Sequence, residues 1–204
     1  MKLKQGDRIV FIGDSITHAG RNEDPNGLGF GYVKMISDEL IKAGMHIKIV
    51  NKGENGDRVI DLADRWQEDV IDIQPDWVSV SIGINDVWRQ LDQPSISQIY
   101  PEAFTNIYED LLDQVKNKTA AKIILMEPTI IEEDVMSKGN ELLKPYVHAV
   151  HRLVEKYDCI IVPTHYVFIE ALRTKSHGAL TTDGVHMTPE GDKLIAHTWL
   201  KSIR

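Results

Sequence analysis

Five apolar runs of strand length, at residues 8–12, 46–50, 77–82, 122–126 and 159–162, constrain this chain more than any other feature. They do not show the strict alternation of apolar and polar residues that marks a strand with one wet face. Runs of this kind suit a parallel sheet covered on both sides. Stripes at helical spacing lie between them. One consists of Phe104, Ile107, Tyr108, Leu111, Leu112 and Val115, a second of Leu143, Tyr146, Val147, Val150 and Val154, and a third of Val59, Ile60, Ala63, Trp66 and Val70. Thr188-Pro189 predicts a last helix, with Thr188 as N-cap and Pro189 at the first helical position, running to about Lys201. Strands alternating with helices imply right-handed crossovers and an α/β fold, a doubly wound three-layer α/β/α sandwich on a five-stranded parallel sheet. The 204 residues contain no repeat, linker or low-complexity stretch, so 1–204 reads as one domain. Longer polar loops are expected at 18–28, 89–101 and 127–141, and Trp66, Trp77 and Trp199 fit packing positions.

Composition narrows the partners. With 42% hydrophobic residues the chain can bury a substantial core, and its formal charge of −8 argues against nucleic acid or an anionic membrane as partner. No apolar stretch approaches the roughly 20 residues of a membrane span. The start, Met1-Lys2-Leu3-Lys4-Gln5-Gly6-Asp7, has no long apolar segment behind it, so no signal peptide is expected and a cytoplasmic location is. The single cysteine, Cys159, opens the run Cys159-Ile160-Ile161-Val162 and reads as a small core residue.

The chemistry gathers at strand ends. In an open parallel sheet, ligands bind beyond the carboxyl ends of the strands. Gly13-Asp14-Ser15 follows the first run, Asn51-Lys52-Gly53-Glu54-Asn55-Gly56-Asp57 the second, and Gly83-Ile84-Asn85-Asp86 the third. Asp183 and His186, three residues apart, precede the last helix. Together these assemble a serine hydrolase. Ser15 attacks a carbonyl, His186 takes its proton and returns it to the leaving alcohol, and Asp183 orients the imidazole. The backbone N–H groups of Ser15 and Gly56 and the amide of Asn85 form the oxyanion hole. Asp14 is expected to bond nearby amides and steady the turn, and it is grouped with Trp88 and His18 as a candidate wall of the substrate pocket. Asp86 reads as a helix cap, and Arg58 and Arg65 as structural or interfacial. Arg89 is divided between an ion pair and substrate contact. His148 and His151, with Glu155 continuing their row, could share a metal but fit a solvated helix face better. Gly27-Leu28-Gly29-Phe30-Gly31 follows no strand and reads as a flexible loop rather than a phosphate cradle.

These blocks resemble those of the SGNH, or GDSL-type, serine esterases: Gly13-Asp14-Ser15-Ile16, Gly56, Gly83-Ile84-Asn85-Asp86 and Asp183-Gly184-Val185-His186 occur in that family's order over nearly the whole chain. The likeness is greater to one subgroup, the intracellular acetylxylan esterases of Gram-positive bacteria, through Phe11-Ile12-Gly13-Asp14-Ser15-Ile16-Thr17, Val50-Asn51-Lys52-Gly53, Ala63-Asp64-Arg65-Trp66-Gln67-Glu68-Asp69-Val70-Ile71, Pro75-Asp76-Trp77-Val78-Ser79 and the long Ile82-Gly83-Ile84-Asn85-Asp86-Val87-Trp88-Arg89-Gln90. The resemblance implies a flavodoxin-like strand order, with Ser15 as nucleophile, Gly56 and Asn85 as oxyanion donors, and Asp183 and His186 completing the triad. It also implies a homo-oligomer that removes acetyl groups from small sugars by an acyl-enzyme route, without metal or organic cofactor. The chain departs from the subgroup at Gly178-Ala179-Leu180-Thr181-Thr182, where the subgroup carries bulky aromatic residues before the acid. A lipolytic member of the superfamily, a lysophospholipase or thioesterase, is the nearer alternative. A non-catalytic sugar-binding module is the more distant one.

Overall fold

A computed structural model describes residues 2–175 and 177–204. The five runs form β1 (Arg8–Gly13), β2 (Lys48–Gly53), β3 (Trp77–Ser81), β4 (Lys122–Met126) and β5 (Ile160–Val162). They pair in parallel in the order β2-β1-β3-β4-β5, the flavodoxin-like order. The helices are α1 (Ser15–His18), α2 (Tyr32–Lys42), α3 (Val59–Trp66), α4 (Ile84–Asp92), α5 (Pro101–Lys118), α6 (Lys138–Tyr157), α7 (Thr164–Thr174) and α8 (Pro189–Ser202). Seven of them fall into two mutually packed groups, α2 with α8 and α7, and α3 with α5, α6 and α4, while α1 packs on β1 and β2. These groups cover the two faces of the sheet, which is why β3 is buried at every residue.

The expected stripes face the core. Phe104, Tyr108, Leu111, Leu112 and Val115 are buried on α5, and Leu143, Tyr146 and Val150 on α6. Trp66, Trp77 and Trp199 are buried as expected, Trp199 donating its indole N–H to Ser79 Oγ at 3.0 Å. Thr188 caps α8 by accepting the Gly191 N–H, with Pro189 in the first turn. Cys159 is only half-buried, packed against the core, and desolvation pushes its thiol up to about 12.

Four differences have physical causes. The second strand lies at 48–53 rather than 46–50, because pairing with β1 carries it through polar Asn51 and Lys52. Asn51 is accommodated by donating its amide to the carbonyls of Thr17 and Leu28 at 2.7 and 2.8 Å. On α3 the buried stripe is Val59, Leu62 and Trp66, leaving Ile60 exposed, and a π-turn at Gln67–Ile71 then resets the phase so that Val70 and Ile71 are both buried. The loops expected at 89–101 and 127–141 are shorter, since Arg89–Asp92 completes α4 and Lys138 opens α6. Helices α1 and α4 are too short to be read from periodicity, and the stripe of α7, Val167, Phe168, Ala171 and Leu172, follows so closely on the β5 run that it does not stand out as a separate element.

Register sets the rim. Gly13 pairs with Gly53 on one side and Ser81 on the other, so the segments after β1, β2 and β3 emerge level with one another. Gly13 has an ordinary backbone; glycine is required because a Cβ would collide with the Ser81 carbonyl oxygen and Thr17 Oγ1.

Candidate active site

Ser15 is the first residue of α1, directly beyond β1. Asp14 caps this one-turn helix, its Oδ1 accepting the Ile16 N–H at 2.9 Å. Burial pushes the Asp14 carboxyl up to about 7, against the lowering effect of that hydrogen bond. Asp14 is buried and does not line the cavity, so its expected place in the pocket wall is corrected. The cap bond holds the Asp14 carboxylate against the backbone of the turn.

His186 and Asp183 come from the loop before α8. Ser15 Oγ lies 3.0 Å from His186 Nε2, and His186 Nδ1 lies 2.7 Å from Asp183 Oδ2. The other carboxylate oxygen, Oδ1, accepts the N–H groups of Val185 and His186 at 3.0 and 2.8 Å. Burial alone would raise the Asp183 pKa, but the ring and backbone hydrogen bonds outweigh it and hold the carboxyl at about 2. Asp183 is therefore an ionised acceptor for Nδ1–H, which leaves Nε2 free to face the serine hydroxyl.

The loop itself is clamped from the other side of the rim. Thr182 and Thr188 close it through backbone bonds to His186 and Leu180. Glu133 Oε1, on the segment between β4 and α6, accepts Leu180 N–H, Thr181 N–H and Thr181 Oγ1–H at 2.7, 2.6 and 2.9 Å, and the Glu132 N–H donates to the Gly184 carbonyl at 2.7 Å. Asn140 on α6 pins that segment in turn, through Ile131 N–H and the carbonyls of Glu132 and Asp134. Glu133 and Asn140 escaped the sequence reading because neither sits in a motif and their partners lie more than forty and up to nine residues away, respectively.

Ser15, His186, Gly56 and Asn85 line one cavity of about 750 Å3, together with His18, Ala19, Gly20, Glu23, Phe30, Asn55, Trp88 and Arg89. Gly56 has φ +85, a conformation that favours glycine and brings the backbone to the cavity wall. Asn85 donates one amide hydrogen to the Asp57 carbonyl at 3.0 Å, leaving the other for the cavity. Asp86 is buried and caps α3 rather than its own helix, both oxygens lying 3.2 Å from the Val59 nitrogen. The Trp88 ring stands edge-on to His186, with centroids 5.8 Å apart, and the Arg89 guanidinium lies 5.2 Å over Trp88 while also bonding Asp92. His18 is buried at the cavity edge, its Nδ1 accepting the Gly20 N–H.

The loop carrying Phe30 is fixed where a flexible one was expected, because Asp24 accepts the N–H groups of Asn26, Leu28 and Gly29. Phe30 itself is exposed on the cavity rim. Among the described lining residues none comes from 178–182, so the departure noted there lies in the clamp under the loop rather than in the wall.

His148, His151 and Glu155 lie on an exposed helix face as expected, but His151 also has a partner there. His151 Nε2 lies 2.6 Å from Oε1 of buried Glu127, whose Oε2 accepts the Tyr166 N–H. Among the described residues no three His, Cys, Asp or Glu side chains converge as a metal site. Nor is any helix among them long and apolar enough to cross a membrane.

Comparison with known proteins agrees with this geometry. A model of the GDSL-like Lipase/Acylhydrolase family matches residues 11–194. The chain is 37% identical to an acetylxylan esterase of Geobacillus stearothermophilus, over 100% of this chain and 96% of that protein. The crystal structure of that esterase superposes with a TM-score of 0.92 at 36% identity, covering 100% of this chain and 96% of the other. An alpha/beta hydrolase enzyme from the metagenome of Lake Arreo, Spain, gives a TM-score of 0.92 at 32% identity, covering 100% and 97%.

Proposed function

The chain belongs to the GDSL-like lipase/acylhydrolase family and is a carboxylic ester hydrolase, and from that premise we propose that residues 1–204 form one catalytic domain that removes O-acetyl groups from small acetylated carbohydrates such as xylo-oligosaccharides. The observation that carries this reading is the unbroken hydrogen-bonded line from Ser15 Oγ through His186 to Asp183, with Ser15 and His186 lining the cavity. His186 Nε2 takes the Ser15 proton as Oγ bonds to the acetyl carbon. The oxygen of the tetrahedral intermediate is met by the Ser15 and Gly56 N–H groups and the free amide hydrogen of Asn85. The proton on Nε2 then passes to the departing sugar oxygen as the C–O bond breaks. Water repeats the sequence, with His186 as base, to release acetate and restore Ser15. Asp183, ionised throughout, stabilises the imidazolium in both halves.

The sugar assignment is supported by the relative's activity as an acetylxylan esterase and by the polar side chains of His18, Glu23, Asn55 and Arg89 in the cavity wall, with Trp88 and Phe30 as ring platforms. Acetate release from acetylated xylo-oligosaccharides is expected for the wild type and lost in Ser15→Ala, with acetyl esters cleaved far faster than octanoyl esters. Turnover retained by a folded Ser15→Ala protein would remove the mechanism, and a preference for octanoyl would turn the assignment to a lipolytic enzyme.

A further inference from the structure

Arg65, on α3, is read from sequence only as a structural or interfacial residue, yet its surroundings tie it to the reaction. Arginine carries five N–H donors in a rigid planar fork. Five contacts to oxygen match them at Arg65. Nε donates to Asp57 Oδ2 at 2.8 Å, and Nη2 lies 2.7 Å from the same oxygen. Nη2 also donates to the Gly13 carbonyl at 3.1 Å. Nη1 donates to the Lys52 carbonyl at 2.8 Å and to Asp69 Oδ2 at 2.6 Å. The side chain is only 18% exposed, so these bonds are largely shielded from solvent.

The acceptors lie on the segments that carry the oxyanion donors. Gly13 precedes Ser15 by two residues, and its carbonyl is also held by the Glu54 N–H at 3.0 Å. Lys52 and Asp57 bracket the turn that presents Gly56. The Asp57 carbonyl orients the Asn85 amide. Ser15 and Gly56 thus lie on segments gripped by one guanidinium, and Asn85 on α4 is tied to the same grip through the Asp57 carbonyl. We propose that Arg65 is a positioning residue for the oxyanion hole, acting through Gly13 and Asp57 on the Ser15, Gly56 and Asn85 donors. This rests on the oxyanion roles given to those residues above. An oxyanion hole works because its donors are preorganised at the place where charge develops, and misplacing such a group by about 1 Å can cost on the order of 10²-fold in rate.

Arg65→Lys keeps the charge and removes the fork. On a simple acetyl ester we expect kcat to fall at least about tenfold with KM within about twofold, in a protein that still unfolds cooperatively. The deciding measurement repeats the change in an Asn85→Ala background, where one donor is already missing and kcat is itself expected to be down about 10²–10³-fold. Arg65→Lys should then cost clearly less than it does in the wild type, because the part of its effect carried by the Asn85 amide is already gone while the parts carried by Ser15 and Gly56 remain. An equal loss in both backgrounds, or an unchanged kcat in folded Arg65→Lys, overturns the proposal. If Arg65→Lys does not fold, Asp57→Asn is measured in the same two backgrounds. It weakens the grip but keeps the carbonyl that orients Asn85, and additivity there likewise overturns the assignment. An Asn85→Ala protein with wild-type kcat would instead remove the oxyanion reading on which Arg65 depends.

Discussion

Asp183 shows how much of the site is settled by one side chain. Its two oxygens have separate tasks: Oδ1 closes the turn by accepting two backbone N–H groups, and Oδ2 fixes the tautomer of His186. Because its folded pKa of about 2 lies below the usual carboxylate value, its contribution to stability is present above that usual value and is lost as pH falls towards 2. Asp183→Asn keeps the shape and gives up the charge. Its amide can donate to Nδ1 and so favour the wrong tautomer. We expect kcat on an acetyl ester to fall by about 10³–10⁴-fold, and the melting temperature at neutral pH to fall as well because the charge's contribution is lost, in a protein that still unfolds cooperatively. A variant within tenfold of wild type would show that His186 does not need its partner's charge. At this scale the motif residues were legible in the sequence. Asp14 was legible only in part, since a carboxylate beside a nucleophile can face the ligand or the backbone, and the φ and ψ of the cap decide which.

At the scale of elements, the site depends on segments that carry no chemistry. The loop of Asp183 and His186 is held by Glu133, and Glu133's own segment by Asn140, so the acid and base are positioned from α6 as well as α8. Glu133→Ala strands the buried N–H groups of Leu180 and Thr181. Steady-state assays should show kcat down about tenfold with KM little changed, and Glu133→Gln, which keeps an acceptor oxygen, should recover most of it. Equal activity in all three proteins would mean that the loop holds its shape without the clamp. Asp86 acts across elements too, capping α3 from α4. A local reading expects a cap to serve its own helix, and only the packing of α4 beside Val59 reverses that.

For the whole molecule, burial of acids sets the response to pH. Desolvation, only partly offset by hydrogen bonds, raises Asp14 to about 7, Asp86 to about 8 and Asp192 to about 6. Each folded pKa lies above its unfolded value, so the native protein keeps protons that the unfolded chain has lost. These three groups cost no stability below about pH 4, and the cost grows as pH rises above 4 and levels off past each folded pKa, at about 6, 7 and 8. Urea unfolding should therefore give a lower midpoint at pH 8 than at pH 5.5, and Asp86→Asn should narrow the gap. A midpoint that rises with pH would show that burial does not raise the pKa values of these carboxyls. Strand number, parallel pairing and the order of the motif blocks along the rim were determined by the sequence alone. Apolar runs, helical stripes and turn residues are local patterns, and a parallel sheet has one rim on which its loops can carry a ligand. The tertiary structure alone decided which polar groups hold that rim together, Arg65 on Gly13, Lys52, Asp57 and Asp69, Glu133 under the loop of His186, and Asp86 on Val59. The reason is geometric. A hydrogen bond needs its partners within about 3 Å, and residues far apart in the chain reach that distance only after the sheet and its helices have packed.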